Sequence, residues 1–172
     1  MLLRKENIKD ILSILAEGRE VFVPGLVRDM KQFRLWEGEE PLLDGENTVL
    51  PPKDILFPKT EKMYSYKTGD DAEISEIVES PARAVFGLRP CDARSIECMD
   101  SMFIREGYRD SFYARRRERC LIIAVSCPGA GESCFCEAMG IDPNAAPGAD
   151  IFLSDRGESF AVFAQTDAGR AE

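Results

Sequence analysis

The sequence predicts an α/β (or α+β) fold, a single domain in which helices flank a mixed sheet. Two buried-strand patterns, ARAVFGL at 82–88 and CLIIAVSC at 120–127, enclose a segment whose apolar residues have helical spacing. This strand–helix–strand order is typical of an α/β core. The chain has 172 residues, which suits one well-packed domain better than two. We expect one domain over 1–172, with a possible subdivision into an N-terminal part, 1–80, and a cysteine-bearing core, 81–172.

The first elements are an amphipathic helix and a short strand. In ENIKDILSILAE, residues 6–17, the isoleucines and leucines recur at helical spacing, and Gly18 follows as a stop. The stretch REVFVPGL then predicts a strand around Val21 to Val23, which Pro24-Gly25 ends.

The pattern becomes less regular in the rest of the first half. Residues 28–60 contain short apolar pieces separated by glycine and proline, so we expect short strands and loops there. The acidic stretch KTGDDAEISEIVES, residues 67–80, predicts a helix through Ile74, Ile77 and Val78.

The second half contains clearer elements. Pro90 ends the strand at 82–88, and CDARSIECMDSMF, residues 91–103, predicts a helix with Ile96, Met99 and Phe103 on one face. The segment DIFLSDRGESFAVFAQT, 150–166, predicts a hairpin with Asp155-Arg156-Gly157 as its turn.

Charge and composition exclude several classes of function. The net charge of −9 argues against a general nucleic-acid binder and against an anionic membrane as the main partner. No apolar run approaches the ~20 residues of a membrane helix, and charges interrupt the N-terminal segment where a signal peptide would be apolar. We therefore expect a cytoplasmic protein, in which thiols stay reduced.

The sequence contains no histidine. This excludes a Ser-His-Asp triad, a Cys-His thiol protease and any metal or haem site that needs imidazole. A metal would have to be held by cysteine and carboxylate, and thiolates select iron–sulfur clusters, zinc or copper(I).

Four cysteines are the candidate ligands. Cys127, Cys134 and Cys136 lie in SCPGAGESCFCEAMG, directly after one predicted strand, and Cys91 follows the end of the other. If the two strands are parallel neighbours, all four residues meet at one edge of the sheet. Zinc and iron–sulfur ligation both remain open at this point.

The surroundings of these cysteines favour a metal site, although their spacing is not the C-x2-C run of ferredoxins. Small residues in PGAGES let the backbone wrap closely around a group, and Arg89 and Arg94 flank Cys91, where they could offset thiolate charge. The alternative is that these cysteines are small buried side chains without metal. For Cys98 and Cys120 we expect that structural role.

A cluster of four arginines, at 115–117 and 119, lies between the two strand patterns. Such a run is typical of a solvated helix face, and docking of an acidic partner is the functional alternative.

Three stretches together resemble a family of iron–sulfur electron-transfer proteins: FGLRPCDARSIECMDSMF, YRDSFYARRRERCLIIAVSCPGAGESCFCEAMG and GADIFLSDRGESFAV. The chain is similar to the N-terminal region of the iron–sulfur subunit of anaerobic sulfite reductase and of the beta subunit of cytoplasmic sulfhydrogenases, which are 4Fe-4S dicluster-type proteins. The resemblance covers roughly residues 50–163. It implies a protein that passes electrons between a flavin-containing, NAD(P)H-linked partner and a catalytic subunit.

By position, Cys91, Cys127, Cys134 and Cys136 match the family's recurring cysteines, which implies one four-cysteine [4Fe-4S] cluster. The sequence lacks the two ferredoxin-type C-x2-C-x2-C-x3-C-P motifs into which family members continue. We therefore expect an electron-transfer domain with one cluster and no substrate chemistry of its own. The alternative is a non-redox docking or scaffold module, with a structural four-cysteine zinc site or without metal.

Overall fold

A seven-stranded sheet forms the centre of the fold. The computed structural model describes residues 1–45, 47–69, 72–77 and 80–172. Within these residues the sheet has the order β1-β11-β10-β9-β6-β2-β3, and two small hairpins, β4-β5 and β7-β8, lie outside it. The strands are β1 (Leu2–Arg4), β2 (Glu20–Val27), β3 (Met30–Leu35), β4 (Tyr64–Lys67), β5 (Glu73–Glu76), β6 (Arg83–Leu88), β7 (Ile104–Arg105), β8 (Tyr108–Arg109), β9 (Cys120–Val125), β10 (Ile151–Asp155) and β11 (Ser159–Ala164).

Helices connect and cover these strands. A 3-10 turn, Lys5–Asn7, leads into the first of them. The helices are α1 (Ile8–Ala16), α2 (Lys53–Leu56), α3 (Pro90–Phe103), α4 (Ser111–Glu118) and α5 (Asp167–Arg170).

The sheet is mixed, as predicted. Strands β2, β6, β9 and β10 are parallel neighbours, whereas β3, β11 and β1 pair antiparallel at the two sides. The α/β class is therefore confirmed. The parallel pairing of β6 with β9 also confirms that Cys91 and the cysteine loop follow adjacent carboxyl ends.

Both faces of the sheet are buried. On one face α1 packs its apolar stripe, Ile8, Leu12 and Leu15, against strand residues such as Phe86 and Ile123. On the other face Leu56 of α2, Ile96 of α3 and Tyr113 of α4 form a second cluster. Because helices cover both faces, every residue of β9 is buried.

The first predicted strand continues farther than expected. Strand β2 includes Pro24 and Gly25, so the prediction that this pair ends it is wrong. Parallel pairing with β6 covers only Glu20 to Phe22, while antiparallel pairing with β3 continues to Val27. A proline is tolerated in a strand where no neighbour needs its missing N–H, and the pairing with β6 stops before Pro24.

The predicted helix in 67–80 is also wrong. Residues Glu73–Glu76 form β5 and pair with β4, with Ile74 opposite Tyr66. Tyrosine and isoleucine favour strands, and both strands are exposed, so no core is available to bury a helical apolar face. Val78, which belongs to the same prediction, lies outside the described residues.

The other main elements agree with the sequence patterns. The first helix, the strands at 82–88 and 120–127, the helix after Pro90 and the final hairpin are all present. The central sheet combines β1 to β3 from 1–80 with β6 and β9 to β11 from 81–172. In the described ranges, no helix combines the length and apolarity needed to cross a membrane.

Candidate metal centre

Cys91 is positioned by the junction between β6 and α3. Strand β6 ends at Leu88, Arg89 is extended, and Pro90 occupies the first helical turn, where its missing N–H costs nothing. The strand contains a bulge at Gly87, whose φ is +89°. A Cβ there would lie 2.8 Å from the Leu43 side chain, so this junction requires glycine.

The loop after β9 carries the other three cysteines and folds back on itself. The N–H of Cys127 donates to the carbonyl of Pro143 (3.0 Å), which ties the two ends of the loop together. The N–H of Ile141 donates to the carbonyl of Cys136 (2.9 Å), closing a turn that ends at Gly140. These backbone bonds hold the cysteine segment at the carboxyl edge of the sheet.

All four candidate cysteines line one cavity of about 960 Å³. Its other wall comes from the loop before α2, which contributes Asn47, Thr48 and Val49. The structure therefore brings together Cys91 and a loop that begins 36 positions later, as the strand pattern predicts.

The thiols have separate hydrogen-bond partners. Cys91 Sγ accepts from Asn47 Nδ2 at 3.6 Å. Cys134 Sγ accepts from the N–H of Gly131 at 3.2 Å, and Cys127 Sγ donates to the carbonyl of Gly129 at 3.2 Å. The loop thus supplies backbone groups to two of the sulfurs.

The site is a cavity with thiols on its wall rather than a closed tetrahedron of ligands. Across the described ranges, no three cysteine, aspartate or glutamate side chains are grouped closely enough to hold a single metal ion. A mononuclear zinc site would place its sulfurs about 3.8 Å apart, given a Zn–S distance of ~2.3 Å.

A buried cation lies beside the thiols. Arg89 lines the cavity, is only 5% exposed, and donates to the carbonyls of Ser126 (3.0 Å) and Leu43. Among the described residues no carboxylate oxygen lies within 4.0 Å of its guanidinium. A buried charge with only neutral hydrogen-bond partners favours an anionic group in the adjacent cavity.

The other flanking arginine does not contribute in this way. Arg94 is exposed, pairs with Glu97 on the same helix, and is absent from the cavity wall. The expectation that both arginines offset thiolate charge is therefore supported only for Arg89.

Burial controls the protonation of this site. It raises the pKa of the Cys91 thiol to about 12, and the neighbouring Asp92 and Cys136 add to the increase. Burial also raises the pKa of Asp92, whose Oδ2 has no hydrogen-bond partner within the described parts of the chain. Cys91 is thus a neutral thiol at pH 7, and metal binding would have to displace its proton.

Comparison with known proteins finds similarity to a curated relative. The chain is 29% identical over 163 residues to the protein named sulfhydrogenase 2 subunit beta from Pyrococcus furiosus. The chain is similar to a sulfhydrogenase subunit. The alignment covers 93% of this chain and 46% of the relative, so the chain spans about half of that protein's length.

This similarity confirms the resemblance to sulfhydrogenase beta subunits that the cysteine-containing stretches indicate. No family model matches the chain. No solved structure matches it either.

The two remaining cysteines lie away from the cavity. Cys120 is buried in β9, as expected, and burial raises the pKa of its thiol to about 12. Cys98 is exposed on α3, so the expectation of a buried side chain is wrong for this residue. It lies two helical turns beyond Cys91, roughly 10 Å farther along the helix axis, and does not line the cavity.

The arginine run on α4 makes intramolecular ion pairs. Arg115 contacts Glu76 of the β4-β5 hairpin (3.1 Å), and Arg116 contacts Glu61. Arg117 contacts Asp100 of α3 (3.1 Å). Three of these charges therefore bind the fold's own carboxylates, which weakens the hypothesis that the run docks an acidic partner.

Sequence patterns did not identify Asn47 as part of the site. Its amide reaches Cys91 across 44 positions and also hydrogen-bonds the Asp92 carboxyl. The residue lies in an irregular loop with no periodicity, so no local pattern indicates the contact.

Proposed function

We propose that the chain is an electron-transfer domain of a sulfhydrogenase-type oxidoreductase complex. In this proposal Cys91, Cys127, Cys134 and Cys136 hold one [4Fe-4S] cluster. The observation that carries it is the single cavity lined by all four thiols at the carboxyl ends of β6 and β9. The similarity to a sulfhydrogenase beta subunit supplies the biochemical setting.

The residues around the cavity fit such a group. Iron–sulfur clusters are typically held by four cysteine thiolates, and this chain offers four cysteines and no histidine. A cluster with four thiolate ligands is an anion, and the buried guanidinium of Arg89 lies beside it. Gly129 has open space where a Cβ would be, and a Cβ at Gly131 would meet only Cys134 Sγ at 3.9 Å, so the loop can approach the group closely.

When bound, a cluster supplies one-electron redox chemistry. The chain's own residues would hold it and set its potential. The Gly131 N–H and the Asn47 amide already donate to Cys134 and Cys91, and such hydrogen bonds to sulfur raise reduction potentials.

A structural four-cysteine zinc site in a docking module is the second candidate function. The same four thiols and the same cation would suit it, because a zinc tetrathiolate is also an anion. The present arrangement requires the thiols to move closer together for zinc, since no three of them, in the described part of the chain, are grouped for one ion.

We propose that the partners are protein subunits of the complex. A flavin-containing, NAD(P)H-linked partner and a catalytic subunit would exchange electrons through this domain, as the family resemblance implies. The relative is itself named as a subunit, which supports an assembly. The complex would be of the sulfhydrogenase type, with the sulfite reductase type as the alternative within the same family.

The decisive experiment is the visible spectrum of protein purified without oxygen, with iron, sulfide and zinc counted per chain. We expect a broad brown absorbance that dithionite bleaches, and about four irons and four sulfides. A colourless protein with one zinc would establish the structural site instead. A folded, colourless protein that takes up neither metal would contradict both functions.

Single Cys→Ser variants test the ligand assignment. Changes at Cys127 or Cys136 should abolish the absorbance, because each removes one of four ligands. Cys98→Ser is the matched control, since Cys98 is a free cysteine on α3 outside the cavity. Equal iron content in all three variants would contradict the assignment.

A further inference from the structure

An exposed apolar patch borders the cysteine cavity. Phe135 is 70% exposed and Met139 is 63% exposed, although both are large apolar side chains. The N–H of Met139 donates to the carbonyl of Phe135 (3.2 Å), so the two residues are one helical turn apart and their side chains share a face. Val49, on the opposite wall of the cavity, is 65% exposed.

The patch is continuous with the proposed ligands. Phe135 lies between Cys134 and Cys136 in sequence, and both of those cysteines line the cavity. A protein that covered Phe135 and Met139 would therefore contact the loop that carries both cysteines. Exposed apolar side chains grouped in this way mark interaction sites.

The surroundings of the patch are acidic. The cysteine loop, residues 127–145, includes the three carboxylates Glu132, Glu137 and Asp142 and no lysine or arginine. Glu132 and Glu137 line the cavity and are exposed, and no lysine or arginine of the described ranges lies within 4.0 Å of either carboxylate. An apolar centre with an uncompensated acidic rim complements a partner with an apolar centre and a basic rim.

We propose that Phe135 and Met139, with Val49 across the cavity and with Glu132 and Glu137 on the cavity wall, form a surface that docks an electron-transfer protein whose contact surface is ringed by lysine or arginine. The inference rests on the proposed function, which it deepens by naming the docking surface and the charge of the partner. The arginine run on α4 is not this surface, because its side chains pair within the domain.

The test uses the full chain loaded with its cofactor and a basic cytochrome c as the probe, since lysines surround the exposed haem edge of that protein. Binding is measured by calorimetry at low ionic strength. We expect Glu132→Lys with Glu137→Lys to weaken binding roughly tenfold and to remove most of its salt dependence. Met139→Ser and Phe135→Ser should each weaken it by about fivefold to tenfold.

Matched controls come from the last turn of α3 and from the β7-β8 hairpin that follows it. Met102→Ser makes the same change of side chain roughly 16 Å along the helix axis from Cys91, and Glu106→Lys makes the same change of charge in the turn of the hairpin. Met102 is 66% exposed, slightly more than Met139. Both controls should bind cytochrome c like the wild-type chain.

The outcomes separate the docking surface from the cofactor. Each variant is first checked for wild-type absorbance and iron content, so loss of the cluster is recorded independently of binding. Met139→Ser and the charge variants leave the cysteines unchanged, and they keep the test valid if Phe135→Ser fails to load. Equal binding by all variants, equal loss in the Glu106→Lys control, or preference for an acidic flavodoxin over cytochrome c would each overturn the proposal.

Discussion

Burial lowers the reactivity of some thiols in this chain, because it opposes formation of the thiolate. The pKa of Cys91 and that of Cys120 are both raised to about 12, chiefly by burial, whereas Cys98 and Cys134 are exposed. In metal-free protein at pH 8 we expect iodoacetamide to modify Cys98 and Cys134 first, because the thiolate is the nucleophile. Peptide mass spectrometry over time measures the order. Early labelling of Cys120 would contradict the structure.

Arg89 should control the reduction potential of a bound cluster. At an effective dielectric constant of about 20, a unit charge at a separation of about 8 Å would contribute on the order of 2 kcal/mol, or roughly 90 mV. We expect Arg89→Gln to lower the midpoint potential by roughly 90 mV. A redox titration followed by electron paramagnetic resonance measures this shift. Cation removal stabilises the oxidised, less negative state relative to the reduced one.

Two further variants separate charge from structure at this position. Arg89→Lys keeps the positive charge, so the midpoint potential should stay close to that of the wild-type chain. The variant loses part of the hydrogen bonding to Ser126 and Leu43. Arg94→Gln removes an exposed arginine paired with Glu97 and should leave the potential nearly unchanged. Equal shifts for Arg89→Gln and Arg94→Gln would rule out a specific effect of the buried cation.

The candidate site could be predicted only to the extent that strand ends fix residue positions. Cys91 and Cys127 each follow a strand, and parallel strands bring their ends together, so sequence alone placed them correctly. Asn47 and the burial of Arg89 depend on how an irregular loop covers the strand ends. Those contacts are set by tertiary packing, which local patterns do not encode.

At the scale of elements, an ion pair connects the N-terminal turn to the final hairpin. Lys5 Nζ lies 2.8 Å from Asp155 Oδ2, and both side chains are partly exposed. Partial burial alone would raise the pKa of Asp155. The hydrogen bonds from Lys5 and from the N–H of Gly157 outweigh it, so the pKa lies below its ordinary value. The ionised form of Asp155 is therefore favoured in the folded state.

This lowered pKa has a definite pH dependence. The stabilisation is fully present above the unfolded pKa of about 4 and is lost as the pH falls through the folded value. We expect Asp155→Asn to reduce the free energy of unfolding by less than about 1 kcal/mol at pH 7, because the pair is solvent-screened. The difference should shrink below pH 4. Urea denaturation from pH 7 to pH 3 measures it, with Glu106→Gln as control; a constant or growing difference at low pH would contradict the assignment.

Sequence patterns predicted elements well where burial was strong and poorly where it was weak. Strands β6 and β9 are buried along their length and their apolar runs are unambiguous. The β4-β5 hairpin is exposed, so its identity depends on cross-strand pairing such as Tyr66 with Ile74, and the sequence pattern of the acidic stretch predicts a helix instead. Without a buried face, periodicity does not distinguish the two structures.

At the scale of the whole molecule, the cavity and the core are separate. The two apolar clusters lie on the faces of the sheet and include none of the four candidate ligands. The segment after the cysteine loop joins only the second of these clusters, through Ala146 and Ala149. Small domains that depend on metal to fold have their ligands at the centre of the structure. In this chain the four cysteines lie at the edge of the sheet instead.

We therefore expect removal of the cofactor to loosen the loop without unfolding the domain. Metal-free protein should keep its far-ultraviolet circular dichroism and a cooperative thermal transition, because both sheet faces remain packed. Amide hydrogen exchange should accelerate in 127–145, and in Asn47 to Val49 on the facing wall, while β6 and β9 stay protected. Uniform acceleration across β6, β9 and α1 would instead show that the bound group stabilises the core itself, so that folding and cofactor binding are one process.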